Sequence, residues 1–312
     1  MTGGLRVGVM FPGDETGYLE RHEIDAWLRV AVECGYTHIC FGDHVLGVNG
    51  AALPEETYRE WARRWSGPPG SVPYNHEVVY REPFVLMAYL AARCDLGFAT
   101  NILVLPQRQT ALVAKQAAEG DLLCDGRLRL GVGIGWSTIE YQALNASFEH
   151  RVSVLEEQIT VLRELWTRDS VRYSGRHHTL QEVGIQQLPS QRPIPIWLGG
   201  HAPAVLRRIG RTADGWFPPV HVTPGARAEA CLATIADAAH AAGRRLSDIG
   251  IEPRLYMASM SDAQMHEFVA AWRSYGASFL CVDTRYGPTP VGLAEHCERM
   301  RRAASVLPTL DH

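Results

Sequence analysis

The stretch Ile194-Pro-Ile-Trp-Leu-Gly-Gly-His201 is the most informative segment of this chain. It is a short apolar run that stops at Gly199 and Gly200, and a helical pattern with Pro203 in its first turn follows. Glycines let the backbone approach an anion closely, and the N–H groups and dipole of a helix N-terminus favour negative charge. Many α/β proteins use glycines here only to turn the chain. The stretch predicts a strand, a turn and a helix that together can hold a phosphate group.

Seven more strand-like runs lie around this stretch and alternate with helical patterns. Short, mostly apolar strands that alternate with helices are typical of a parallel sheet buried on both faces. Eight such units in about 300 residues favour an α/β fold of the (β/α)8 TIM-barrel type, with a doubly wound open sheet as the alternative. The eight runs lie near residues 5–11, 37–41, 96–102, 128–133, 194–198, 214–217, 250–258 and 278–283.

The helical patterns carry recognisable start and stop signals. One apolar stripe at helical spacing runs from Ile24 to Val32, and Gly35 follows where a C-terminal glycine belongs. Three further segments predict helix starts, namely Thr223-Pro224, Thr289-Pro290 and the capping box Ser261-x-x-Gln264.

We expect residues 1–312 to form a single barrel domain with two long insertions. Residues 45–81 follow the second strand and contain Trp61, Trp65 and Tyr74. Residues 167–193 precede the fifth strand and resemble a small hairpin. Long loops after barrel strands usually build or cover the active site, so residues 45–81 are predicted to form a lid. An oligomer contact or a surface elaboration is the alternative.

The composition indicates a globular protein and excludes several classes of partner. The chain is 46% hydrophobic and 21% charged, with a net charge of −4, so we expect no broad nucleic-acid or membrane-surface footprint. Its seven cysteines are scattered and never spaced Cys-x-x-Cys. Reduced thiols and a cytoplasmic location are therefore expected, without a zinc site.

Asp43 and His44 stand at the expected C-terminal end of the second strand. A carboxylate and an imidazole at this position can hold a polar ring and move a proton near neutral pH. No His-x-His or His-Glu-x-x-His spacing accompanies the pair, so we expect no metal. A purely structural role for the two side chains is the alternative.

Two other strand ends have unusual residues. Asn101 ends the third strand, where asparagine indicates a bulge or an unusual turn. The fourth strand ends in Gly133-Ile-Gly135-Trp136, which lacks the full Gly-x-Gly-x-x-Gly fingerprint of dinucleotide-binding folds. A strand end where a flat ring passes close to the backbone fits this segment better.

Together these segments resemble the luciferase-like monooxygenase family, and most closely its branch that uses the deazaflavin coenzyme F420. The resemblance covers almost the whole chain from Leu5 onward. It rests on the segments Phe41-Gly-Asp43-His44, Asn101-Ile-Leu-Val-Leu-Pro-Gln-Arg108, Asp121 to Trp136, Ile196-Trp-Leu-Gly-Gly-His201 and Asp214-Gly-Trp-Phe217.

The resemblance implies a flavin or deazaflavin at the C-terminal mouth of the barrel. Asp43 and His44 would then edge its ring system, with His44 as the proton donor or acceptor. Relatives have a non-proline cis peptide where this chain has Asn101 and Ile102, and that bulge supports the ring. The remaining implied cofactor contacts are Gly135 and Trp136 beside the ring, and Gly199, Gly200 and His201 at the phosphate.

The implied function is hydride transfer between coenzyme F420 and a small organic substrate. The first alternative is a monooxygenase that uses reduced FMN and oxygen on the same scaffold. A second is a non-catalytic flavin or deazaflavin binder, which would need no proton relay. Because relatives commonly form dimers, we also expect a homodimer.

Overall fold

The apolar runs form the strands of one curled parallel sheet in the computed structural model, which describes residues 4–13, 17–65, 74–285 and 291–307. The strands are β1 (Arg6–Met10), β2 (His38–Phe41), β3 (Gly97–Thr100), β4 (Leu103–Val104), β5 (Leu128–Gly133), β6 (Val171–Ser174), β7 (Thr179–Val183), β8 (Ile196–Gly199), β9 (Gly215–Phe217), β10 (Gly250–Ile251), β11 (Arg254–Tyr256) and β12 (Phe279–Asp283).

The helices lie between these strands in the chain. They are α1 (Arg21–Glu33), α2 (Glu55–Ala62), α3 (Pro83–Ala91), α4 (Thr110–Leu123), α5 (Thr138–Ala143), α6 (Arg151–Thr167), α7 (Pro203–Thr212), α8 (Ala226–Ala241), α9 (Asp262–Ser274) and α10 (Leu293–Val306). The described part of the chain has no helix that is both long enough and apolar enough to cross a bilayer.

The order of strands in the main sheet is β10-β9-β8-β5-β3-β2-β1-β12-β11, with β4 beside β5, and every pairing is parallel. The two end strands belong to one segment of the chain, because only Glu252 and Pro253 separate β10 from β11. The α/β class and the curled parallel sheet are therefore confirmed. Because all strands point the same way, the polar residues that follow them meet at one end of the sheet.

Most side chains of the main sheet are buried. Strands β2, β3, β5 and β12 are buried along their whole length. Helix α1 packs Ile24, Trp27, Leu28 and Ala31 into the core, as the helical spacing predicts, and Gly35 follows with a φ of 73°. Val32 was expected on this stripe and is 48% exposed, because Val30 occupies the core side of that turn instead.

Two of the three predicted helix starts can be compared with the structure. The capping box at Ser261 and Gln264 is present at the start of α9. The start at Thr223-Pro224 was wrong, because the two residues belong to a turn and α8 begins at Ala226 with Gly225 before it. Residues Thr289 and Pro290 lie outside the described residues.

The two segments predicted as insertions have different structures. The described part of residues 45–81 includes α2 and brings the buried side chains of Trp61 and Tyr74 towards the ends of the strands. Residues 167–193 contain β6 and β7, which pair antiparallel apart from the main sheet. A lid function of residues 45–81 stays a prediction.

Candidate active site

A cleft of about 380 Å³ lies at the carboxyl ends of the parallel strands. It falls within the size range of small-molecule sites. The predicted site residues that line it are Asp43, His44, Asn101, Ile102, Gly135, Trp136, Gly199 and Gly200. Other lining residues were not predicted from sequence, among them Trp65, Tyr80, Phe217, Glu252, Arg254, Tyr256 and Arg285. His201 is not among the lining residues.

The peptide between Asn101 and Ile102 is cis, as the resemblance implied. Arg254 fixes this peptide, since its Nη2 donates to the Asn101 carbonyl oxygen at 3.0 Å and to Asn101 Oδ1 at 2.8 Å. The Ile102 side chain lies against Gly133, where an added Cβ would come within 2.7 Å of Ile Cδ1. Glycine at 133 therefore makes room for Ile102 on the wall of the cleft.

Asp43 holds the backbone that follows the cis peptide. Its Oδ2 accepts from the Val104 N–H at 3.1 Å, and its Oδ1 accepts from Arg108 Nη2 at 2.7 Å. The side chain is 2% exposed. Both carboxylate oxygens therefore already have donors. Asp43 lines the cleft as an anchor, and its predicted part in proton transfer stays a prediction.

His44 is oriented by Glu140, a residue the sequence did not single out. His44 Nδ1 lies 3.1 Å from Glu140 Oε2, while Oε1 accepts from the N–H groups of Val45 at 2.8 Å and Leu46 at 3.2 Å. Because Nδ1 is engaged, Nε2 is the ring nitrogen left for proton exchange. The visible signal was Ser137-x-x-Glu140, the pattern of a capping box. Ser137 does cap α5, but the Glu140 carboxylate turns to His44.

The surroundings keep Glu140 ionised. Burial by itself would raise the pKa of Glu140, but the hydrogen bond and charge of His44 and the N–H groups of Leu46 and Val45 bring it below its ordinary value. Tyr74 donates to Glu140 Oε2 at 3.0 Å. Burial and the neighbouring Glu140 raise the pKa of Tyr74 well above its ordinary value, so this hydroxyl remains a donor.

Aromatic rings form one wall of the site. The His44 ring stacks on Tyr74 with centroids 3.7 Å apart. Trp136 contacts Trp61 at 5.0 Å and Trp65 at 5.2 Å between centroids. Trp136 Nε1 is buried and has no acceptor among the described residues. An indole N–H of this kind usually finds a partner, so its orphaned state points to a ligand acceptor in the cleft.

The turn after β8 has the features of a phosphate site. Gly200 has a φ of 129°, which favours glycine, and its carbonyl accepts from Trp216 Nε1 at 2.8 Å. The N–H groups of His201 and Ala202 donate to no carbonyl within the described residues, and α7 starts directly after them. This fits the anionic phosphate of a flavin or deazaflavin.

The His201 side chain faces a second histidine rather than the cleft. His201 Nδ1 lies 3.0 Å from His221 Nε2. Burial lowers the pKa of both rings, and the charge of Arg227 lowers them further. The lowered pKa values favour the neutral form of both imidazoles, and a cofactor contact of His201 stays a prediction.

The two arginines in the lining are both paired. Arg285 Nη2 donates to Asp283 Oδ2 at 2.8 Å, and Arg254 Nη1 lies 3.7 Å from the same oxygen. Arg254 also bonds Asn101 as described above. The cations in the described lining are therefore committed to the protein, which matters for the kind of substrate this cleft accepts.

One cluster deeper in the sheet has the residue types of a metal site. The ligand atoms of His38, Cys40 and Glu252 lie within 4.8 Å of one another. Glu252 already accepts from His38 Nε2 at 2.9 Å and forms an ion pair with Arg129. Because a guanidinium in contact with the carboxylate opposes a second cation there, the cluster acts as a buried ion-pair network. The expectation of no metal stays a prediction.

One protein family matches nearly the whole chain. The family model described as luciferase-like monooxygenase matches residues 12–305. The chain belongs to this family. The resemblance inferred from the motifs is therefore confirmed.

Two curated relatives match this chain over three fifths or more of its length. An uncharacterised protein of Mycobacterium tuberculosis is 38% identical over 61% of this chain and 62% of its own length. The F420-dependent glucose-6-phosphate dehydrogenase of Nakamurella multipartita is 27% identical over 70% of this chain and 58% of its own length. The chain thus spans about three fifths of the length of these curated relatives.

Solved structures show the same fold at lower identity. The monooxygenase RslO1 from Streptomyces bottropensis has a TM-score of 0.73 at 18% identity, covering 97% of this chain and 98% of its own. An F420-dependent secondary alcohol dehydrogenase, solved with an F420-acetone adduct, has a TM-score of 0.73 at 13% identity and covers 99% of both chains. The curled parallel sheet of this chain is thus the fold of these neighbours.

Proposed function

We propose that the protein is an oxidoreductase that binds coenzyme F420 and transfers hydride between it and a small organic substrate. The observation that carries the proposal is the His44–Glu140 pair at the edge of the cleft, where a proton must enter or leave when hydride moves. The F420-dependent enzymes among the relatives and structural neighbours support the choice of cofactor.

The residues present fit such a cofactor. The turn at Gly199 and Gly200 would hold its phosphate, and Ile102 with the orphaned Trp136 N–H would face its ring. The bound deazaflavin would give hydride to the substrate or take hydride from it. Glu140 holds the Nδ1 side of His44, so that His44 Nε2 gives or takes the substrate proton.

The aromatic wall limits water near the ring and favours a substrate with apolar surface. Trp65, Tyr80 and Trp136 line the cleft, whereas Arg254 and Arg285 are paired with Asp283 or Asn101. A sugar phosphate would need a cation that the described lining does not leave uncommitted. We therefore propose an uncharged carbonyl, carbinol or unsaturated compound rather than a sugar phosphate.

A second candidate function is an oxygen-using monooxygenase with reduced FMN. The observation that favours it is the likeness of fold to the monooxygenase RslO1 over nearly the whole chain. Both cofactors present a phosphate and a tricyclic ring, and the same turn and wall would hold either one.

The test is a pair of anisotropy titrations of the purified protein, one with coenzyme F420 and one with FMN. We expect micromolar binding of coenzyme F420, weaker binding of FMN, and about tenfold loss of affinity in Gly200→Ala, because an added Cβ strains this backbone. Gly292→Ala is the matched control, since its φ is negative and its Cβ meets open space. A preference for FMN would support the monooxygenase, and binding of neither would overturn both functions.

We also propose that the protein is a homodimer that acts on a small molecule and binds neither nucleic acid nor membranes. The net charge of −4 supports the second part. Sedimentation velocity at micromolar concentration tests the first part, and a single monomeric species would overturn it.

A further inference from the structure

A second cleft lies at the opposite end of the same sheet. It has a volume of about 600 Å³ and is lined by residues that begin strands. The first residues of β1, β2, β3 and β12 are Arg6, His38, Gly97 and Phe279. This N-terminal mouth is therefore separate from the candidate active site, whose residues follow the strand ends.

Two arginines of the N-terminal mouth, the exposed Arg6 and the buried Arg129, have donors without an acceptor among the described residues. The Arg6 guanidinium has no hydrogen bond or ion pair with any described residue and lies 3.7 Å from the centre of the Phe279 ring. The Arg129 guanidinium lies 3.8 Å from the same ring centre, and its buried Nη2 has no acceptor among the described residues. The two charges are thus at most about 7.5 Å apart.

A buried arginine nitrogen without an acceptor is costly, and two guanidiniums this close repel each other. The repulsion and the burial lower the pKa of Arg6, with burial as the larger cause. An oxyanion bound in the cleft beside these guanidiniums would supply an acceptor and reduce the repulsion. The half-buried hydroxyl of Ser278 lines the same cleft and can donate as well.

The carboxylates near this cleft are already engaged. Asp214 accepts from Arg163 at 2.9 Å and from the Ile196 N–H at 2.8 Å. Glu252 is shared by His38 and Arg129. Each carboxylate therefore already has a cationic partner, and although the charge of Glu252 favours the charged form of Arg6, neither carboxylate forms an ion pair with it.

We propose that the N-terminal mouth is a binding site for a small oxyanion, a phosphate or a carboxylate group, held by Arg6, Arg129 and Ser278. Trp197 and Phe279 line its walls, so the oxyanion can carry a flat apolar body. The site is independent of the cofactor turn at Gly200 and of the function proposed above.

The test is calorimetric titration of the full chain with inorganic phosphate, and separately with acetate, at constant ionic strength. We expect saturable binding in the wild type that is about tenfold weaker in Arg6→Gln, which loses one charged hydrogen bond, while any binding at the turn after β8 is unaffected by this substitution. Ser278→Asp, which places a carboxylate in the site, should weaken binding similarly and serves if Arg6→Gln does not fold. Tighter binding of phosphate or of acetate identifies which oxyanion group the site prefers.

Two controls separate this site from other anion sites. Arg168→Gln removes an arginine that is 63% exposed and paired with Glu164 away from the cleft, and it should bind phosphate as the wild type does. Gly200→Ala should weaken only the turn after β8, so the part of the binding that Arg6→Gln removes should persist in this variant. The proposal is overturned if the wild type shows no saturable binding, if Arg6→Gln and Ser278→Asp bind like the wild type, or if only Gly200→Ala loses the ion.

Discussion

The two ends of the parallel sheet both carry clefts, yet their chemistry differs. At the carboxyl end, Arg254 and Arg285 are paired and the surface is built from glycines, a cis peptide and aromatic rings. At the amino end, Arg6 and the Nη2 nitrogen of Arg129 have no hydrogen-bond acceptor in the part of the chain that the structure describes. At the carboxyl end, the side chains hold one another in place, as a site for a reaction requires. At the amino end, donors are left without acceptors, as expected of a site that is completed by a bound ion.

One residue connects the two ends. Glu252 lines the carboxyl-end cleft and accepts from His38 and Arg129, which line the amino-end cleft. Substitutions at the two ends should therefore affect different properties, and a substitution of Glu252 should affect the stability that both ends share.

The largest effect is expected at the carboxyl end, from His44→Ala. Turnover should fall by about 10²–10⁴-fold, because the proton donor or acceptor is lost, while the affinity for the cofactor is retained. Steady-state kinetics together with the cofactor titration measure the two quantities. His22→Ala is the control, since His22 is 76% exposed and lies outside the site. Turnover at the wild-type rate in His44→Ala would instead favour a protein that binds the cofactor without catalysis.

Glu252, which contacts residues at both ends of the sheet, should contribute mainly to stability. Glu252→Gln leaves Arg129 without its counter-charge and should lower the free energy of unfolding by about 3–5 kcal/mol at neutral pH. Urea denaturation measures this loss. Glu55→Gln, at an exposed ion pair, is the control and should change little.

The destabilisation caused by Glu252→Gln should also depend on pH. Burial alone would raise the pKa of Glu252, but Arg129 and His38 hold it far below the ordinary value of 4.5. A depressed carboxyl pKa adds stability above the unfolded-state value, and that stability is lost as the pH falls below it. The difference in unfolding free energy between the wild type and Glu252→Gln should therefore be largest at neutral pH and decrease as the pH falls below about 4.5. A difference that does not change with pH would contradict the ion-pair network.

The smallest effect is expected from Glu140→Gln, which tests whether Glu140 acts by positioning His44. Glu140→Gln keeps an acceptor for the N–H groups of Val45 and Leu46 but removes the charge beside His44. Turnover should fall by about tenfold to hundredfold, as expected for one charged hydrogen bond. The loss should fall on kcat, with the affinity for the cofactor unchanged, because Glu140 acts through His44 and does not line the cleft. Wild-type kcat together with lower stability would assign Glu140 a structural role alone.

Much of the fold could be predicted because its signals are local. Apolar runs of strand length, the stripe that begins at Ile24 and the capping box at Ser261 depend on neighbouring residues in the chain. The errors occurred where tertiary packing competed with a local signal. Val32 has helical spacing but faces solvent, and Thr223-Pro224 is a turn rather than a helix start.

Local sequence patterns were enough to predict the strands, the glycine turn at 199–200 and the places of Asp43, His44 and Asn101 at strand ends. Their position on one side of the sheet follows as well, because all strands of a parallel sheet end on the same side. The side-chain partners could be identified only in the folded chain: Glu140 for His44, 96 residues apart, and Arg254 for Asn101, 153 residues apart. Hydrogen bonds form between atoms that are close in space, and the order of the strands brings residues so far apart in the chain together.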